Sequence, residues 1–391
     1  MTKKNRLLLR GRIFGAEKPS DVVLEDGRVA GIVPAGQSPA DFGSPHAIIG
    51  PTLFDMQING AGGFDLQGGQ VTVDDVYAVS EVLARYGVSR WIPTLVTGLQ
   101  EEMEHGCRVI AEAARGARMR RVIPGIHLEG PHISPLDGPR GAHPKEHVRL
   151  PSLREFQRLQ KASENRVICV TLAPELPGAL RFIKAVSAQG VLVSLGHHAA
   201  TAAQIRAAVD VGVRLSTHLG NGSSPMMHRQ LNPLWPQLAE DRMHAAFIAD
   251  LHHVPGDALK TFVRAKGHRR SILTSDATSL MALPPGIYTF AGAKVELRSD
   301  GKICLCGTDL LAGSGVPLLQ GVVNAWRCGA MSLPEAFASA TTIPARLFGV
   351  PAPPNCTRVG RPANLVLFEV DARTGRVQQP TVFLDGTLLE S

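Results

Sequence analysis

The 391-residue sequence is poor in aromatic residues and has no long apolar run. Phe, Trp and Tyr make up only 5% of it, with three Trp and three Tyr, which is a weak stacking platform for single-stranded nucleic acid. No apolar stretch reaches the ~18 uncharged residues that a membrane-spanning helix needs. Near the start, Leu7–Leu9 is followed at once by Arg10 and Arg12, unlike the apolar core of a signal peptide. We therefore expect neither nucleic acid nor a membrane as a partner.

Cysteine is also scarce, and its spacing indicates no disulfide framework or zinc knuckle. Cys304 and Cys306 form a close pair, but no second pair accompanies them. We expect six reduced thiols in a cytoplasmic protein. The composition is otherwise globular, with 44% hydrophobic and 19% charged residues. A net charge of +7 favours anionic partners, from phosphorylated metabolites upward.

The middle of the chain repeats one unit, a short apolar strand followed by a polar loop and an amphipathic helix. The eight strand candidates are Pro51–Ile58, Ser89–Val96, Arg121–Leu128, Arg166–Leu172, Val191–Leu195, Val213–Thr217, His244–Ala249 and Ser271–Thr274. Helical periodicity is clearest over Asp74–Tyr86, Glu101–Ala117, Thr201–Val211 and Asp257–Ala265. Eight such units predict an α/β fold of the closed (β/α)8 barrel type. No Gly-x-Gly-x-x-Gly fingerprint follows a strand, which argues against a dinucleotide site.

Both ends of the chain differ from this middle, because they contain short strands and turns. We therefore predict a small β domain built from residues 1–48 together with 350–391, and a barrel over residues 49–349. A β-hairpin insertion is expected near residues 288–306, around the turn Ser299–Gly301.

Polar side chains follow the predicted strands at their C-terminal ends, which in a barrel form the active-site rim. Glu129 follows the third strand, His197 the fifth and His218 the sixth. One carboxylate and two imidazoles are the ligands of a catalytic zinc-type site, with a coordination position left for water. Asp276 follows the eighth strand, and its carboxylate is the candidate to take a proton from that water.

These segments, in this order, resemble the N-acetylglucosamine-6-phosphate deacetylases of the amidohydrolase superfamily. The resemblance runs from about residue 20 to 370. The segments that carry it are Phe54–Gly63, His127–Pro131, Gly141–Pro144, Thr171–Glu175, Ser194–His197, Thr217–Asn221, Ile248–Asp250, Thr274–Thr278 and Leu311–Ser314. The resemblance implies a metal-dependent barrel with a small β-sandwich formed from both termini. It also implies hydrolysis of the N-acetyl group of an amino-sugar 6-phosphate.

By position, the resemblance implies further roles for individual residues. Asp276 would act first as general base and then as acid, and His143 would help to bind the substrate and stabilise the oxyanion. The implied sugar and phosphate contacts are Ala142, Asn221, Gly222, Arg229, His253, Leu311, Ala312 and Gly313. Because phosphate ligands in this family can come from a neighbouring subunit, the resemblance also implies a homodimer.

Two departures from related sequences bear on the metal. Gln57 and Asn59 stand where many superfamily members carry His-x-His, and neutral amides are poor ligands for a borderline cation. We therefore expect one divalent ion, zinc first and iron, cobalt or manganese as alternatives, with the second metal position weak or empty.

The sugar pocket also departs from related sequences, at His198 and in the run after Leu219. N-acetylgalactosamine 6-phosphate or an unphosphorylated N-acyl amine is therefore the alternative substrate.

Overall fold

Eight parallel strands in the middle of the chain form the predicted barrel. The computed structural model describes residues 6–14, 16–290, 293–354 and 356–389. In chain order the barrel strands are Leu53–Ile58, Val88–Val96, Ile126–Glu129, Val167–Leu172, Leu192–Leu195, Val213–Ser216, His244–Ile248 and Ser271–Thr274. Each strand pairs with the next along the chain. The eighth strand returns to the first, since the Asn59 N–H donates to the Ala277 carbonyl at 2.8 Å.

Helices connect or follow the strands, and most of them cover the outside of the barrel. They are Val73–Arg85, Gln100–Ala113, Ala117–Val122, Leu153–Ala162, Ala179–Ser187, Ala202–Asp210, Leu234–Ala239, Gly256–Lys266, Leu318–Arg327, Leu333–Ser339 and Thr342–Leu347, with 3-10 turns at Lys145–His147 and His268–Arg270. Several begin at side chains that cap free N–H groups. Thr72 and Thr201, for example, each form a reciprocal capping box with the residue three positions on.

The barrel interior is packed with side chains at the end opposite the predicted site. Phe54, Met56, Ile92 and Ile272 belong to one buried cluster with Ala345 of the helix Thr342–Leu347. The outer residues of the strands instead join a larger cluster with the surrounding helices. A strand buried on both faces reads as a nearly continuous apolar run, and this is why the barrel strands were recognisable from the sequence.

Strands from both ends of the chain form a single seven-stranded sheet. Its strands, in spatial order, are Thr387–Leu389, Thr381–Leu384, Leu365–Phe368, Phe42–Pro51, Arg6–Ile13, Ser20–Glu25 and Arg28–Pro34. The strand Phe42–Pro51 leads directly into the first barrel strand and crosses the predicted boundary at residue 48. The sandwich form of this unit and the division into two domains stay predictions.

Three sequence-based expectations differ from the structure in detail. The helix predicted over Glu101–Ala117 is Gln100–Ala113, and a second helix begins at Ala117. The third barrel strand begins at Ile126 rather than Arg121, because Ala117–Val122 is helical and Pro124 separates the two elements. The insertion after the eighth strand is larger than a hairpin. It is a four-stranded antiparallel sheet of Gly286–Phe290, Ala293–Leu297, Lys302–Leu305 and Leu311–Ser314. The predicted turn around Ser299–Gly301 does join two of its strands.

Two further observations concern cysteines and membrane spans. All six cysteines are free thiols. Among the described residues, no helix has both the length and the apolar character that crossing a membrane requires. A pair of two-residue strands, Gly60–Ala61 and Phe64–Asp65, follows the first barrel strand.

Candidate active site

The structure brings together the three predicted metal ligands, although they lie far apart in the sequence. Glu129 Oε1 is 3.1 Å from His197 Nε2 and 2.7 Å from His218 Nε2. The two Nε2 atoms are themselves 3.1 Å apart. All three residues are buried, with 3 to 7% of their surfaces exposed. One carboxylate oxygen and two imidazole nitrogens therefore face a common point.

Three residues of the candidate site have a backbone conformation that side chains rarely adopt. His197 has a φ of 51°, His218 of 26° and Asp276 of 51°. Such left-handed conformations cost of order 1–3 kcal/mol each and persist where the surrounding structure enforces them. Each of the three follows directly on a barrel strand or comes within two residues of its end. The left-handed conformation after each of these strands thus directs the three side chains toward the centre of the rim.

The ring of His197 is oriented by a main-chain acceptor. Its Nδ1 is 3.0 Å from the carbonyl oxygen of Pro139, so Nδ1 carries the proton and Nε2 presents its lone pair to the cluster. A metal-binding histidine commonly donates its second ring N–H in this way. Gly222 lies against the same ring, since a Cβ at that position would come within 2.9 Å of Nδ1.

The carboxylate of Glu129 and the imidazole of His218 stabilise each other's charge. Burial would raise the pKa of Glu129, but the neighbouring imidazoles of His197 and His218 hold this pKa well below its ordinary value. Burial would likewise lower the pKa of His218, yet the Glu129 carboxylate raises it. The site thus favours positive charge beside Glu129, which is the property that a cation site needs.

His143 lies at the edge of the same cluster. Its Nε2 is 3.2 Å from His197 Nε2 and its Nδ1 is 2.9 Å from Thr97 Oγ1. Burial, with His197 next to it, lowers the pKa of His143 to about 3, so the ring is neutral. Together with Glu129 and His197 it forms a second, overlapping set of donor atoms close enough to hold a cation.

Asp276 is placed beside the cluster by the first barrel strand. Asn59 Nδ2 donates to Asp276 Oδ1 at 2.8 Å. Burial and the neighbouring Glu129 carboxylate raise the pKa of Asp276 to about 7. Gln57 Oε1 accepts a hydrogen bond from Thr217 at 3.0 Å. Each of these two amides, which stand at the predicted second metal position, thus has one atom bonded to a protein partner.

Other predicted contacts surround the cluster at the ends of later strands. His253 Nδ1 is 2.6 Å from Asp250 Oδ2. His253 also lies near enough to Asp276 to oppose part of the rise in the pKa of Asp276. The main chain of Asn221 bonds back to the His218 carbonyl at 2.9 Å. The strand Leu311–Ser314, which contains the predicted Leu311, Ala312 and Gly313, pairs with the segment just after Asp276.

Two predicted contacts are not brought to the cluster within one chain. Arg229 is exposed in the loop after the sixth barrel strand, and among the described residues it makes no ion pair. Ala142 is exposed as well, although it precedes the buried His143. The roles of both residues in binding substrate stay predictions.

The sequence interpretation assigned no role to the residues that orient the histidines. Thr97 bonds His143, Asp250 bonds His253, and a main-chain carbonyl bonds His197. Thr97 did carry a signal, because it is the polar residue immediately after the second barrel strand. The Pro139 carbonyl carried none, since every residue type offers that group.

The donor set fits a divalent cation. An oxygen and two nitrogens within about 3 Å of one another match ligands placed ~2.0–2.2 Å from a zinc-type ion. Glu129, His197 and His218 would hold it, with His143 and Asp276 on either side. The thiols take no part, because none lies among these donors in the described ranges.

Comparisons with known proteins agree with this arrangement. An amidohydrolase family model matches residues 48–389. The human N-acetylglucosamine-6-phosphate deacetylase is 33% identical over 375 residues, covering 92% of this chain and 86% of that protein. The N-acetylgalactosamine-6-phosphate deacetylase of Escherichia coli O157:H7 is 31% identical over 346 residues, covering 88% and 89%.

A solved structure is similar over almost the full length. It is an N-acetyl-D-glucosamine-6-phosphate deacetylase mutant from Mycobacterium smegmatis in complex with N-acetyl-D-glucosamine-6-phosphate. The TM-score is 0.81 at 28% identity, with 99% of this chain and 100% of the other covered. The chain therefore belongs to the amidohydrolase family of metal-dependent hydrolases, and within it to the N-acetylglucosamine-6-phosphate deacetylases.

Proposed function

We propose that this chain hydrolyses the N-acetyl group of N-acetylglucosamine 6-phosphate to give glucosamine 6-phosphate and acetate. The observation that carries the proposal is the convergence of Glu129, His197, His218 and Asp276 in one buried site. The names of the relatives supply the substrate class. The positive net charge of the chain is compatible with a phosphorylated substrate.

The proposed cofactor is one divalent ion held by Glu129, His197 and His218. When bound, the ion would activate a water molecule and polarise the acetamide carbonyl. Zinc is the first choice because a carboxylate with two imidazoles is a familiar catalytic zinc set, and iron, cobalt and manganese are the alternatives. We expect the position beside Gln57 and Asn59 to bind a second ion weakly or not at all, because neutral amides are weaker ligands.

Asp276 moves the proton in this scheme. As water adds to the carbonyl carbon, Asp276 accepts a proton, and it then delivers a proton to the amine nitrogen as the carbon–nitrogen bond breaks. In the metal-free site, burial and Glu129 raise the pKa of Asp276 to about 7. A carboxyl beside the water and the amine can act first as base and then as acid. Asn59 holds Oδ1, which leaves Oδ2 to carry the proton.

His143 is proposed to bind the acetyl oxygen. With a pKa lowered to about 3 it remains a neutral ring, so it donates a hydrogen bond without bringing a positive charge close to the cation. A Thr97 hydroxyl that donates to Nδ1 would leave the proton on Nε2, facing the cluster. Charge that develops on the oxygen would then meet a donor already in place.

The remaining predicted contacts are proposed to hold the sugar phosphate. Asn221, Gly222 and His253 lie next to the cluster, and the strand containing Leu311, Ala312 and Gly313 would close over the sugar. Arg229, with Ala142 nearer the cluster, would complete the pocket. Phosphate binding remote from the reacting carbon fixes the position of the acetamide.

We propose that Arg229 acts across the interface of a homodimer. Its loop exposes apolar side chains, with 87% of Met226 and 82% of Leu231 accessible, and exposed apolar groups in one loop are typical of contact surfaces. Leu231→Glu is expected to give monomers in sedimentation velocity and to weaken substrate binding. A wild-type chain that sediments as a monomer at high concentration would contradict the dimer.

We propose a cytoplasmic location because the six cysteines are free thiols and because the proposed substrate is a phosphorylated sugar. Phosphorylated sugars are charged and are made and consumed where ATP is available. Free thiols persist in that reducing compartment. Fractionation of expressing cells tests the proposal, and recovery with an exported fraction would contradict it.

The function is tested by acetate release from a panel of N-acetyl sugars. The panel contains N-acetylglucosamine and N-acetylgalactosamine, each with and without the 6-phosphate. The highest kcat/KM is expected for N-acetylglucosamine 6-phosphate. The N-acetylgalactosamine 6-phosphate alternative has its own support in the Escherichia coli relative, and a preference for that sugar would replace the substrate but keep the reaction.

Two variants separate the chemistry from the binding. Asp276→Asn is expected to lower kcat by ~10²–10⁴-fold while the bound metal stays at the wild-type level. Arg229→Ala is expected to raise the KM for the 6-phosphate sugar and to leave the KM for the unphosphorylated sugar unchanged. An Asp276→Asn enzyme with wild-type turnover would overturn the proton-transfer role, and an unchanged KM in Arg229→Ala would overturn the phosphate role.

A further inference from the structure

Asp55 is a fully buried carboxylate that the proposed reaction does not use. It lies on the first barrel strand, with 0% of its surface exposed. An ionised group in such a place is stable only if hydrogen bonds replace its lost hydration. The strand itself supplies only the N–H of Gln57, at a long 3.4 Å.

The stronger hydrogen bonds of Asp55 come from the residues just before Asp276. Thr274 Oγ1 donates to Asp55 Oδ1 at 2.7 Å, and Ser275 Oγ donates to Asp55 Oδ2 at 2.5 Å. The main-chain N–H of Ser275 lies 3.2 Å from both carboxylate oxygens. One carboxylate therefore holds two consecutive residues that lead into the turn at Asp276.

The same network continues past Asp276. Ser275 Oγ donates its proton to Asp55 and accepts the N–H of Ala277 at 3.2 Å. Asn59 then takes hold of the far side, since its N–H donates to the Ala277 carbonyl and its Nδ2 donates to Asp276 Oδ1, each at 2.8 Å. Asp276, with its φ of 51°, is thus held on one side by Asp55 of the first strand and on the other by Asn59, the residue after that strand.

We propose that Asp55 is a positioning residue for Asp276, fixing the left-handed turn that aims the Asp276 carboxylate at the cluster. The inference rests on the proposed function, in which Asp276 transfers the proton. Asparagine cannot replace Asp55, because its NH2 group would face the Ser275 N–H and one acceptor atom would be lost. With Ser275 no longer held, its hydroxyl is free to turn away from the Ala277 N–H.

The test compares Asp55→Asn with Thr52→Val in the zinc-loaded enzyme. Thr52 is equally buried, precedes the same strand and bonds Ser89 at 2.7 Å, away from Asp276. Asp55→Asn is expected to lower kcat about 100-fold, as misplacing a reacting group by ~1 Å does, with KM and bound zinc within about twofold of wild type. Thr52→Val should lose stability but keep kcat.

Hydrogen exchange gives a readout that does not depend on turnover. In Asp55→Asn, the main-chain amides of residues 275–279 are expected to exchange at least 10-fold faster, while those of the strand Val213–Ser216 stay unchanged. If Asp55→Asn does not fold, Ser275→Ala removes the same link with a smaller change and should act in the same direction on both measurements.

The outcomes separate this inference from the proposed function. A wild-type enzyme that releases no acetate from any sugar overturns the function, and the exchange measurement still decides the role of Asp55. An active wild type whose Asp55→Asn and Ser275→Ala variants keep kcat within twofold overturns the positioning role. So does a loss of kcat that merely follows an equal loss of zinc, or unchanged exchange at residues 275–279.

Discussion

At the scale of single residues, the sequence identified donors by chemical type but not the atoms that orient them. Glu129, His197 and His218 were predicted because one carboxylate and two imidazoles after three strands indicate a cation site, and the structure brings them together. The acceptor of the His197 ring is a main-chain carbonyl. No residue type marks such an acceptor, so only the folded chain could reveal it.

The first prediction concerns the carboxylate of the cluster. Glu129→Gln is expected to lower the affinity for zinc more than 100-fold, because a neutral amide replaces the charged ligand. Loss of a group that only hydrogen-bonds a metal ligand already lowers metal affinity ~10–100-fold. Glu175→Gln is the control, since Glu175 also follows a barrel strand but bonds the Ala199 N–H. Dialysis against buffered zinc followed by metal analysis measures both. Equal zinc affinity in the two variants would refute the ligand role of Glu129.

At the scale of elements, periodicity predicted well where a strand is buried on both faces and less well where turns decide. All eight barrel strands were found, since each is a short apolar run followed by polar residues. The third strand was predicted to begin too early, at Arg121 instead of Ile126. The end of the helix Ala117–Val122 lies so close to the strand, with Pro124 between them, that the sequence pattern does not separate the two elements. The insertion was seen as one hairpin for two reasons. The expected first arm is in fact two strands, Gly286–Phe290 and Ala293–Leu297, and the last strand, Leu311–Ser314, contains small residues with no strand-like pattern.

The second prediction concerns that last strand of the insertion. Gly313 has a φ of 86°, and a Cβ there would come within 2.2 Å of Thr278 Cγ2. Gly313→Ala is therefore expected to push the strand off the segment after Asp276 and to lower kcat/KM at least 10-fold. Gly307→Ala is the matched control, because Gly307 has a similar φ of 76° with open space around it. Similar kinetics in the two variants would show that the close contact is unimportant.

At the scale of the whole molecule, four buried histidines and the half-buried His244 link stability to pH. Burial lowers the pKa of each from its ordinary value of 6.5 to about 3 or 4. They are His127, His132, His143, His198 and His244. Because the unfolded chain binds protons at these sites from pH 6.5 downward while the folded chain does not, acid favours unfolding. Above pH 7 these residues are neutral in both states and contribute no pH dependence.

The third prediction isolates one of these histidines. His132 Nδ1 bonds the Arg149 carbonyl and Nε2 accepts the Ser152 N–H, so a glutamine can keep both bonds without titrating. His132→Gln is expected to make the free energy of unfolding fall less steeply between pH 6.5 and 4, by up to ~1.4 kcal/mol per pH unit. Urea unfolding of the metal-free proteins across that range measures the slopes. Parallel curves would contradict the buried neutral state of His132.

The seven-stranded sheet has a consequence for how the polypeptide is made. Phe42–Pro51 pairs with Arg6–Ile13 on one side and with Leu365–Phe368 on the other. On the ribosome, this early strand must therefore wait with an open edge while the entire barrel emerges. A prematurely truncated chain would keep that edge unpaired, and an unpaired edge can pair with strands of other chains. The C-terminal strand Leu365–Phe368, rather than completion of the barrel, covers this edge and so limits aggregation of the newly made chain.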